Sequence, residues 1–299
     1  MKIYGVCPAS CGEFVQGILG SEEYLCSYAI DMYSTAVLEE KINDINRGPY
    51  KSRKAIEAVF KRFGIPIKCS KNISLSIKSE IPVGKGMASS TADIGATIKA
   101  TLSLLNKNLT SREISKLASN IEPTDSIFIE ENSIFNPLNG ETVKTLGNIY
   151  NGRVIVLEPN RTLSTARIRK IYNYEEKKIN NKSIIQEAFF LLEEGIKNND
   201  LNLVGRASTM SSLANENIHR KDGLNKIIDV SRKYGAYGVN IAHSGTVVGI
   251  LIDKDMNDRK IIELLRQEGL DNIYKKIYTS NIIDGGVREE IKWNTSKIL

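Results

Sequence analysis

The sequence has few of the residues that support metal centres, disulfide frameworks or membrane anchors. Its 299 residues include only four cysteines, two histidines and one tryptophan. The cysteines, at positions 7, 11, 26 and 69, form no C-x-x-C pair and lie far from both histidines. We therefore expect reduced, mostly buried thiols rather than a zinc site. No apolar run approaches the ~20 residues that cross a bilayer. The N-terminus is also polar too early for a signal peptide, so we expect a cytoplasmic protein with no membrane partner.

The chain also lacks a strong excess of one charge. Lysine and arginine together number 41 and aspartate and glutamate 35, which gives a net charge of +6. This mild charge helps to attract an anionic ligand, but it forms no concentrated basic stripe with interleaved aromatics, and we expect no nucleic-acid partner. Hydrophobic residues at 41% and charged residues at 25% are ordinary for a globular protein and exclude extensive disorder.

Length and periodicity predict two domains of the α+β class. At roughly 150 residues per domain the chain suggests about two, and we place the boundary so that residues 1–152 and 153–299 are separate. Strands come first, helices follow and strands return late, which favours α+β over a regular βαβ alternation. Asp222 is predicted to be the N-cap of one helix, and residues 130–152 are expected to be polar and turn-rich. The predicted strands are 24–30, 33–38, 73–81, 153–157, 239–242, 246–252 and 273–279, and the predicted helices are 50–63, 110–120, 183–197, 222–234 and one around 261–265.

Residues 82–97, which read PVGKGMASSTADIGAT, combine a glycine turn with the start of a helix. Gly84 and Gly86 allow a tight turn and a close approach of the backbone to a ligand. The following serines lead into a helix that is rich in small residues. Backbone N–H groups in the first turn of a helix, together with the aligned peptide dipoles, favour a phosphate at that position.

Two familiar phosphate loops do not match this segment. A Walker A loop needs its lysine after the last glycine, whereas Lys85 precedes Gly86. The dinucleotide-binding spacing fails because Ser89 stands where the third glycine belongs. On physical grounds alone, phosphate binding and a plain glycine turn with a serine N-cap remain equally supported.

The string PVGKGMASSTA, from Pro82 to Ala92, closely resembles the P-x-x-x-G-L-x-S-S-[small]-[small] signature of the GHMP kinases. Met87 replaces the usual leucine, which conserves volume. The resemblance implies a two-domain fold, with an N-terminal half similar to a ribosomal protein domain and a ferredoxin-like C-terminal half. It also implies that ATP is a substrate and that one loop serine helps to bind Mg²⁺, either Ser89, which we prefer, or Ser90. The implied ATP-binding residues are Pro82, Val83, Gly84, Lys85, Gly86, Met87, Ala88, Ser89, Ser90 and Thr91.

Two further strings resemble the other motifs of that family, in the same order along the chain. PASCGEFVQG, at 8–17, resembles the first motif, which borders the acceptor, although it lacks Gly-Glu-His and has Gln-Gly where other members carry charge. GAYGVNIAHSG, at 235–245, resembles the glycine-rich third motif, which supports the phosphate loop, although it has fewer glycines. The residues implied on the acceptor side are Glu13, Gln16, Asp31, Ser244 and Gly245.

The acids for phosphoryl transfer are expected in the segment EPTDS, at 122–126. Pro123 prevents a regular helix from running through both carboxylates. In many GHMP kinases one acid of this region holds Mg²⁺ and another orients the acceptor or takes its proton. By position, the resemblance implies Glu122 as the Mg²⁺ ligand and Asp125 as the catalytic residue at the acceptor hydroxyl. The competing interpretation is that both acids cap or solvate a turn.

Four local strings together, PASCGE-x-x-QG, D-x-YST, GMASSTAD and EPTDS, resemble the L-threonine kinase branch of the family. The implied reaction gives O-phospho-L-threonine, which supplies the aminopropanol phosphate arm of cobalamin. An amino-acid acceptor needs an anionic and a cationic subsite, and either Glu13 or Asp31 could meet its ammonium group. The alternatives are homoserine or another alcohol as acceptor, a non-catalytic nucleotide or metabolite sensor on the same fold, and a nucleic-acid-binding module.

Overall fold

The computed structural model describes residues 2–41, 45–162 and 173–289, and these form a mixture of strands and helices. The strands are β1 (Lys2–Leu19), β2 (Glu22–Glu40), β3 (Ile73–Ser79), β4 (Asn132–Phe135), β5 (Thr142–Gly147), β6 (Gly152–Glu158), β7 (Gly238–Ile241), β8 (Val248–Asp253) and β9 (Lys276–Ile283). The helices are α1 (Tyr50–Arg62), α2 (Ser89–Leu104), α3 (Ser111–Ser119), α4 (Tyr174–Asn180), α5 (Lys182–Lys197), α6 (Leu201–Asn215), α7 (Leu224–Lys233) and α8 (Asp258–Gln267). The α+β class is therefore confirmed.

One sheet connects the two halves of the chain. Its strands follow the order β1-β7-β8-β6-β9-β2-β4-β5, β3 pairs with β2, and β1 also pairs with β2. The two long N-terminal strands therefore contact both early and late strands. The larger hydrophobic cluster draws residues from both halves, while a smaller cluster consists of residues from Ile155 to Tyr274. The domain boundary after residue 152 stays a prediction.

The first strands differ from the sequence prediction at Asp31 and Met32. We expected two strands separated by this pair, but β2 continues through it. Pro8 pairs with Tyr33 while Ala9 pairs with Ile30, so Asp31 and Met32 are two inserted residues opposite a continuous β1. A bulge accommodates such residues without ending the ladder, which is why a local break in the pattern did not end the strand.

Several elements were absent from the sequence prediction. The stretch 130–152 contains the paired strands β4 and β5, joined by a turn in which the Asn136 side chain accepts backbone N–H groups. Helix α6 shows little amphipathic pattern, because many of its buried residues are serine or threonine. The hydroxyl groups of Ser208 and Ser212 donate to carbonyl groups one turn earlier, which lets a polar helix lie in the core.

The start of α7 also differs from expectation. Its N-cap is Gly223, with φ of 76°, rather than Asp222. The Asp222 carboxylate instead pairs with Arg161 at 3.0 Å. The thiol prediction agrees with the structure, since Cys7, Cys11 and Cys26 are buried and reduced and Cys69 is exposed. Within the described ranges, no helix has the length and apolar character needed to span a membrane.

Close packing of α2 against β1 positions the site. An added methyl group at Gly5 would lie 2.2 Å from the Ala96 carbonyl oxygen, so β1 and α2 are in near backbone contact. The small residues of α2 are buried at this contact. The N-terminus of α2 is thereby fixed beside the middle of β1, where the strand register shifts.

Candidate active site

The segment before α2 forms a tight turn at the edge of a cleft. Gly84 and Gly86 have φ of 70° and 82°, and Ala88, the N-cap of α2, has φ of 59°. A positive φ is uncommon for alanine and marks a constrained backbone. Within α2, Ala92 is the residue that donates to the N-cap carbonyl, so the N–H groups before it lie outside the helical ladder. Anions bind at such groups.

The cleft has a volume of about 520 Å³, and its walls come from several segments. Residues 83–91 other than Lys85 line it, together with Glu13, Gln16, Glu122, Asp125 and Ser244. The turn therefore opens onto free space, and both acids of the EPTDS segment converge on the same space.

A distant hairpin supports the turn. The Thr246 and Val247 N–H groups donate to the Lys85 carbonyl at 2.7 and 3.1 Å. A methyl group added at Gly245 would lie 2.3 Å from the Gly86 Cα atom, so the two backbones are in direct contact. Gly245 therefore packs behind the turn and does not line the cleft.

The structure corrects the expected positions of two charged side chains. The Lys85 ammonium group is buried and donates to the Pro159 carbonyl and, at 2.9 Å, to the Arg161 carbonyl, so it points away from the cleft. Asp31 accepts the Asn281 backbone N–H at 2.8 Å and its amide at 2.6 Å, which joins β2 to β9 outside the cleft. Pro82 is also outside the cleft lining.

Glu122 lies beside the first turn of α2, where it belongs to a network of three side chains. Its carboxylate accepts the Ser90 hydroxyl group and forms an ion pair with Lys51. The Lys51 ammonium group also donates to the Ser90 hydroxyl oxygen at 3.2 Å. The network brings a carboxylate, a hydroxyl group and a cation to the place where the turn leaves backbone N–H groups free.

Lys51 also lines the cleft, although no sequence motif singled it out. The signal that could have revealed it is its position in the first turn of α1. The dipole of a helix disfavours cations at its N-terminus. A lysine in this position therefore indicates a compensating anion, which is Glu122.

Asp125 lines the same cleft as Glu122. The Ser27 hydroxyl group donates to its carboxylate at 3.2 Å. Burial raises the pKa of Asp125 well above the usual range of a carboxyl group, and the negative charges of Glu13 and Glu122 raise it further. A carboxylate with a raised pKa is a stronger proton acceptor than one in water.

Glu13 is held by residues from the third motif. It is buried, and its Oε2 atom accepts both the backbone N–H and the ring Nδ1–H of His243 at 3.0 Å. Ser211 accepts the Gln16 N–H at 3.1 Å and contacts His243 Nε2 at 3.0 Å. Because the Ser211 oxygen already accepts the Gln16 N–H, we assign its hydroxyl group as the donor to His243 Nε2. The imidazole proton then lies on Nδ1, which donates it to Glu13.

The arrangement joins a turn whose backbone N–H groups lie outside the helical ladder, a carboxylate–hydroxyl pair and a carboxylate with a raised pKa, all facing one cleft. This combination fits the transfer of a phosphoryl group, which depends on positioning and on the neutralisation of phosphate charge. The same features allow Ser90 and Glu122 to hold a divalent cation through oxygen atoms.

Comparison with known proteins agrees with this geometry. Residues 51–129 match the family model of the GHMP kinases N terminal domain, and residues 192–271 match the model of the GHMP kinases C terminal domain. The chain belongs to the GHMP kinases, a family of ATP-dependent phosphotransferases.

Relatives of known activity are similar over almost the whole chain. The chain is 35% identical to the L-threonine kinase of Salmonella typhimurium, over 94% of each chain. It is 31% identical to the L-threonine kinase of Citrobacter freundii, over 94% of this chain and 97% of that protein. The crystal structure of homoserine kinase from Cytophaga hutchinsonii shares the fold, with a TM-score of 0.70, 17% identity and coverage of 96% of both chains.

Proposed function

We propose that this chain transfers the γ-phosphoryl group of ATP to the hydroxyl group of L-threonine, giving O-phospho-L-threonine and ADP. The observation that carries the proposal is the convergence of Asp125 and Glu122 on the turn that begins α2. The choice of acceptor is supported by the identity with two L-threonine kinases over nearly the full length.

The turn and the start of α2 would bind the triphosphate. Free N–H groups and the helix dipole favour negative charge at this position. The contact between Gly86 and Gly245 holds the turn in place, so the phosphate groups meet a preorganised backbone. Lys51 adds a cation at the mouth of the cleft, next to Glu122.

The residues present fit a magnesium ion that arrives with the nucleotide. Ser90 and Glu122 offer hard oxygen donors already in contact, and Mg²⁺ is usually held by one or two carboxylates plus substrate phosphates. Ser89 lies next to them in the lining of the cleft and is the other candidate ligand. Bound there, Mg²⁺ would neutralise charge on the phosphate groups and help to align them.

Asp125 would accept the proton of the threonine hydroxyl group as the oxygen attacks the γ-phosphorus. Ser27 orients the Asp125 carboxylate, and the raised pKa of Asp125 makes proton transfer to it more favourable. Glu13, fixed by His243, keeps a second negative charge beside it and maintains the raised pKa.

A coupled ADP-release assay tests the proposal with L-threonine, L-serine, homoserine, galactose and mevalonate as acceptors. We expect the highest kcat/KM with L-threonine, and phosphorus NMR should identify the product as a phosphomonoester. A higher kcat/KM with homoserine or another alcohol would identify that compound, rather than threonine, as the acceptor. Nucleotide binding without ADP release for any acceptor would favour a sensor on the same fold.

We propose further that the product supplies the aminopropanol phosphate arm of cobalamin. Because ATP is an intracellular reagent, the proposal places the reaction in the cytoplasm. Support comes from the same similarity to L-threonine kinases. Growth of a strain that needs this step, restored by the chain but not by its Asp125→Asn variant, is the expected result. If an enzyme that is active in the assay does not restore growth, the chain does not serve that pathway.

A further inference from the structure

A small side chamber opens beside the cleft, and three residues line both spaces. These shared residues are Gln16, Tyr174 and Ser244. The side chamber is also lined by Glu23, Lys178 and Asn215. Its volume is about 30 Å³, against about 520 Å³ for the cleft, so it admits only small polar groups of a ligand whose remainder lies in the cleft.

Two buried polar atoms in this chamber have no hydrogen-bond partner among the described residues. One is the amide oxygen of Gln16, an acceptor, and the other is the amide nitrogen of Asn215, a donor. Both are shielded from bulk solvent. Buried polar groups are nearly always paired, so an unpaired acceptor and an unpaired donor in one chamber indicate a ligand with the opposite groups.

The orientation of the Gln16 amide is set by its neighbours. Its Nε2 atom donates to Glu23 at 2.9 Å, and Glu23 is paired with Lys178 at 2.9 Å. Rotating the amide would place its oxygen against the Glu23 carboxylate, so the free atom must be the oxygen. The backbone N–H of Gln16 is also fixed, because it donates to Ser211.

Asn215 is presented by the same helix as Ser211, one turn further along α6. It is 6% exposed. The buried Glu23–Lys178 pair places a negative and a positive group on the chamber wall. The chamber wall therefore has a hydrogen-bond acceptor, the Gln16 oxygen, close to the Glu23 carboxylate. It also has a donor, the Asn215 amide nitrogen, and the Lys178 ammonium group lines the same chamber.

We propose that the side chamber binds the α-ammonium and α-carboxylate groups of the acceptor, with Gln16 Oε1 accepting from the ammonium and Asn215 Nδ2 donating to the carboxylate. This assignment rests on the proposed amino-acid kinase function. It makes these two side chains specificity-determining residues, since an alcohol without the charged groups would leave both atoms unpaired. The hydroxyl group of the same ligand then lies in the cleft, near Asp125.

Two threonine analogues separate the two contacts. 1-Aminopropan-2-ol lacks the carboxylate, and 3-hydroxybutanoate lacks the ammonium group. The variants are Asn215→Leu and Gln16→Met, which keep the size of the side chain. Asn202→Leu, at the exposed start of α6, is the matched control. For each protein, kcat and KM are measured with L-threonine and with both analogues.

We expect Asn215→Leu to raise the KM for L-threonine by roughly 10- to 100-fold and to leave the KM for 1-aminopropan-2-ol unchanged. Gln16→Met should show the same pattern with 3-hydroxybutanoate. The KM for ATP should stay at the wild-type value in both variants. The control variant Asn202→Leu should keep the wild-type KM for every substrate. Equal losses for L-threonine and both analogues would show that the amides act only on the structure and would overturn the assignment.

A binding measurement keeps the assignment separate from the proposed function. Calorimetry of the wild-type chain with L-threonine, L-serine and homoserine reports the subsite without catalysis. Binding of one of these amino acids that Asn215→Leu weakens supports the chamber even if threonine is not phosphorylated. Binding that neither variant weakens overturns the chamber whatever the acceptor is. If Asn215→Leu does not fold, Asn215→Asp keeps the size and replaces the donor with an acceptor.

Discussion

The proposed phosphate side of the cleft is lined by one stretch, residues 83–91 without Lys85, whereas the side chamber is assembled from β1, β2, α4, α5, α6 and the segment that contains His243 and Ser244. On the first side the proposed ligand contacts come from backbone N–H groups of adjacent residues, so this binding requires a local string with glycines at fixed positions. On the second side the proposed contacts come from single side chains. Their spacing along the chain carries no constraint, and only the fold brings them together.

The largest loss is expected where charge neutralisation and alignment depend on one residue. Glu122→Gln removes the carboxylate that contacts Ser90. Turnover should fall by more than the roughly 10²–10⁴-fold contribution of a positioned base, and more Mg²⁺ should be needed for half-maximal rate. A magnesium titration of the rate measures this. The exposed Glu131→Gln should behave as wild type, and an unchanged titration for Glu122→Gln would remove it as a ligand.

Asp125→Asn tests the second acid. We expect turnover to fall roughly 10²–10⁴-fold because the proton acceptor is lost, while nucleotide binding is retained. Single-turnover kinetics and nucleotide titration separate the two effects. Asp255→Asn, on an exposed turn, is the control. Normal turnover in Asp125→Asn would show that the proton leaves by another route.

Gly245→Ala tests how far the continuous phosphate side depends on a distant residue. The added methyl group would meet the Gly86 Cα atom and the Lys85 oxygen at 2.3 Å, so the turn must shift. We expect a roughly tenfold or larger increase in the KM for ATP and a loss of about 1–3 kcal/mol in the free energy of unfolding. Gly64→Ala, where nothing lies within 4 Å, should leave the KM unchanged. Equal KM values for both variants would show that the turn stands alone.

The raised pKa of Asp125 predicts a gain of stability in the inactive variant. The folded protein holds this proton more tightly than the unfolded chain, so ionising Asp125 disfavours folding and the stability of the wild type falls as pH rises from the ordinary carboxyl range to the raised pKa. Asp125→Asn should therefore be more stable by about 0.5–2 kcal/mol at alkaline pH, with little difference in acid. Urea unfolding across pH measures the difference. A pH-independent difference would contradict the raised pKa.

Met87→Leu should have the smallest effect. Met87 is buried, and a change to leucine conserves volume, which usually costs less than about 1.5 kcal/mol. Kinetic constants close to those of the wild type would confirm that the departure from the family signature is neutral. A marked loss would show instead that the contact between the Tyr278 hydroxyl group and the Met87 sulfur, at 3.8 Å, matters for the loop.

Sequence patterns predicted the elements with strong local signals. Helix α1, strand β3 and the hairpin of β7 and β8 lie close to their predicted bounds, because their apolar periodicity is regular. The patterns missed α6, whose serines are buried through hydrogen bonds rather than through an apolar face. The predicted break in β2 was wrong because a bulge absorbed it.

The sequence by itself indicated the glycine turn before α2, the order of the three motifs and the two acids of the EPTDS segment that line the same cleft, because adjacent backbone groups and short strings specify them. Only the tertiary structure decided that Lys85 and Asp31 point away, that Lys51 meets Glu122, and that Gln16 and Asn215 share a chamber. The direction of a side chain depends on the register and packing of its element. Those follow from contacts between residues far apart in the chain, which no local pattern records.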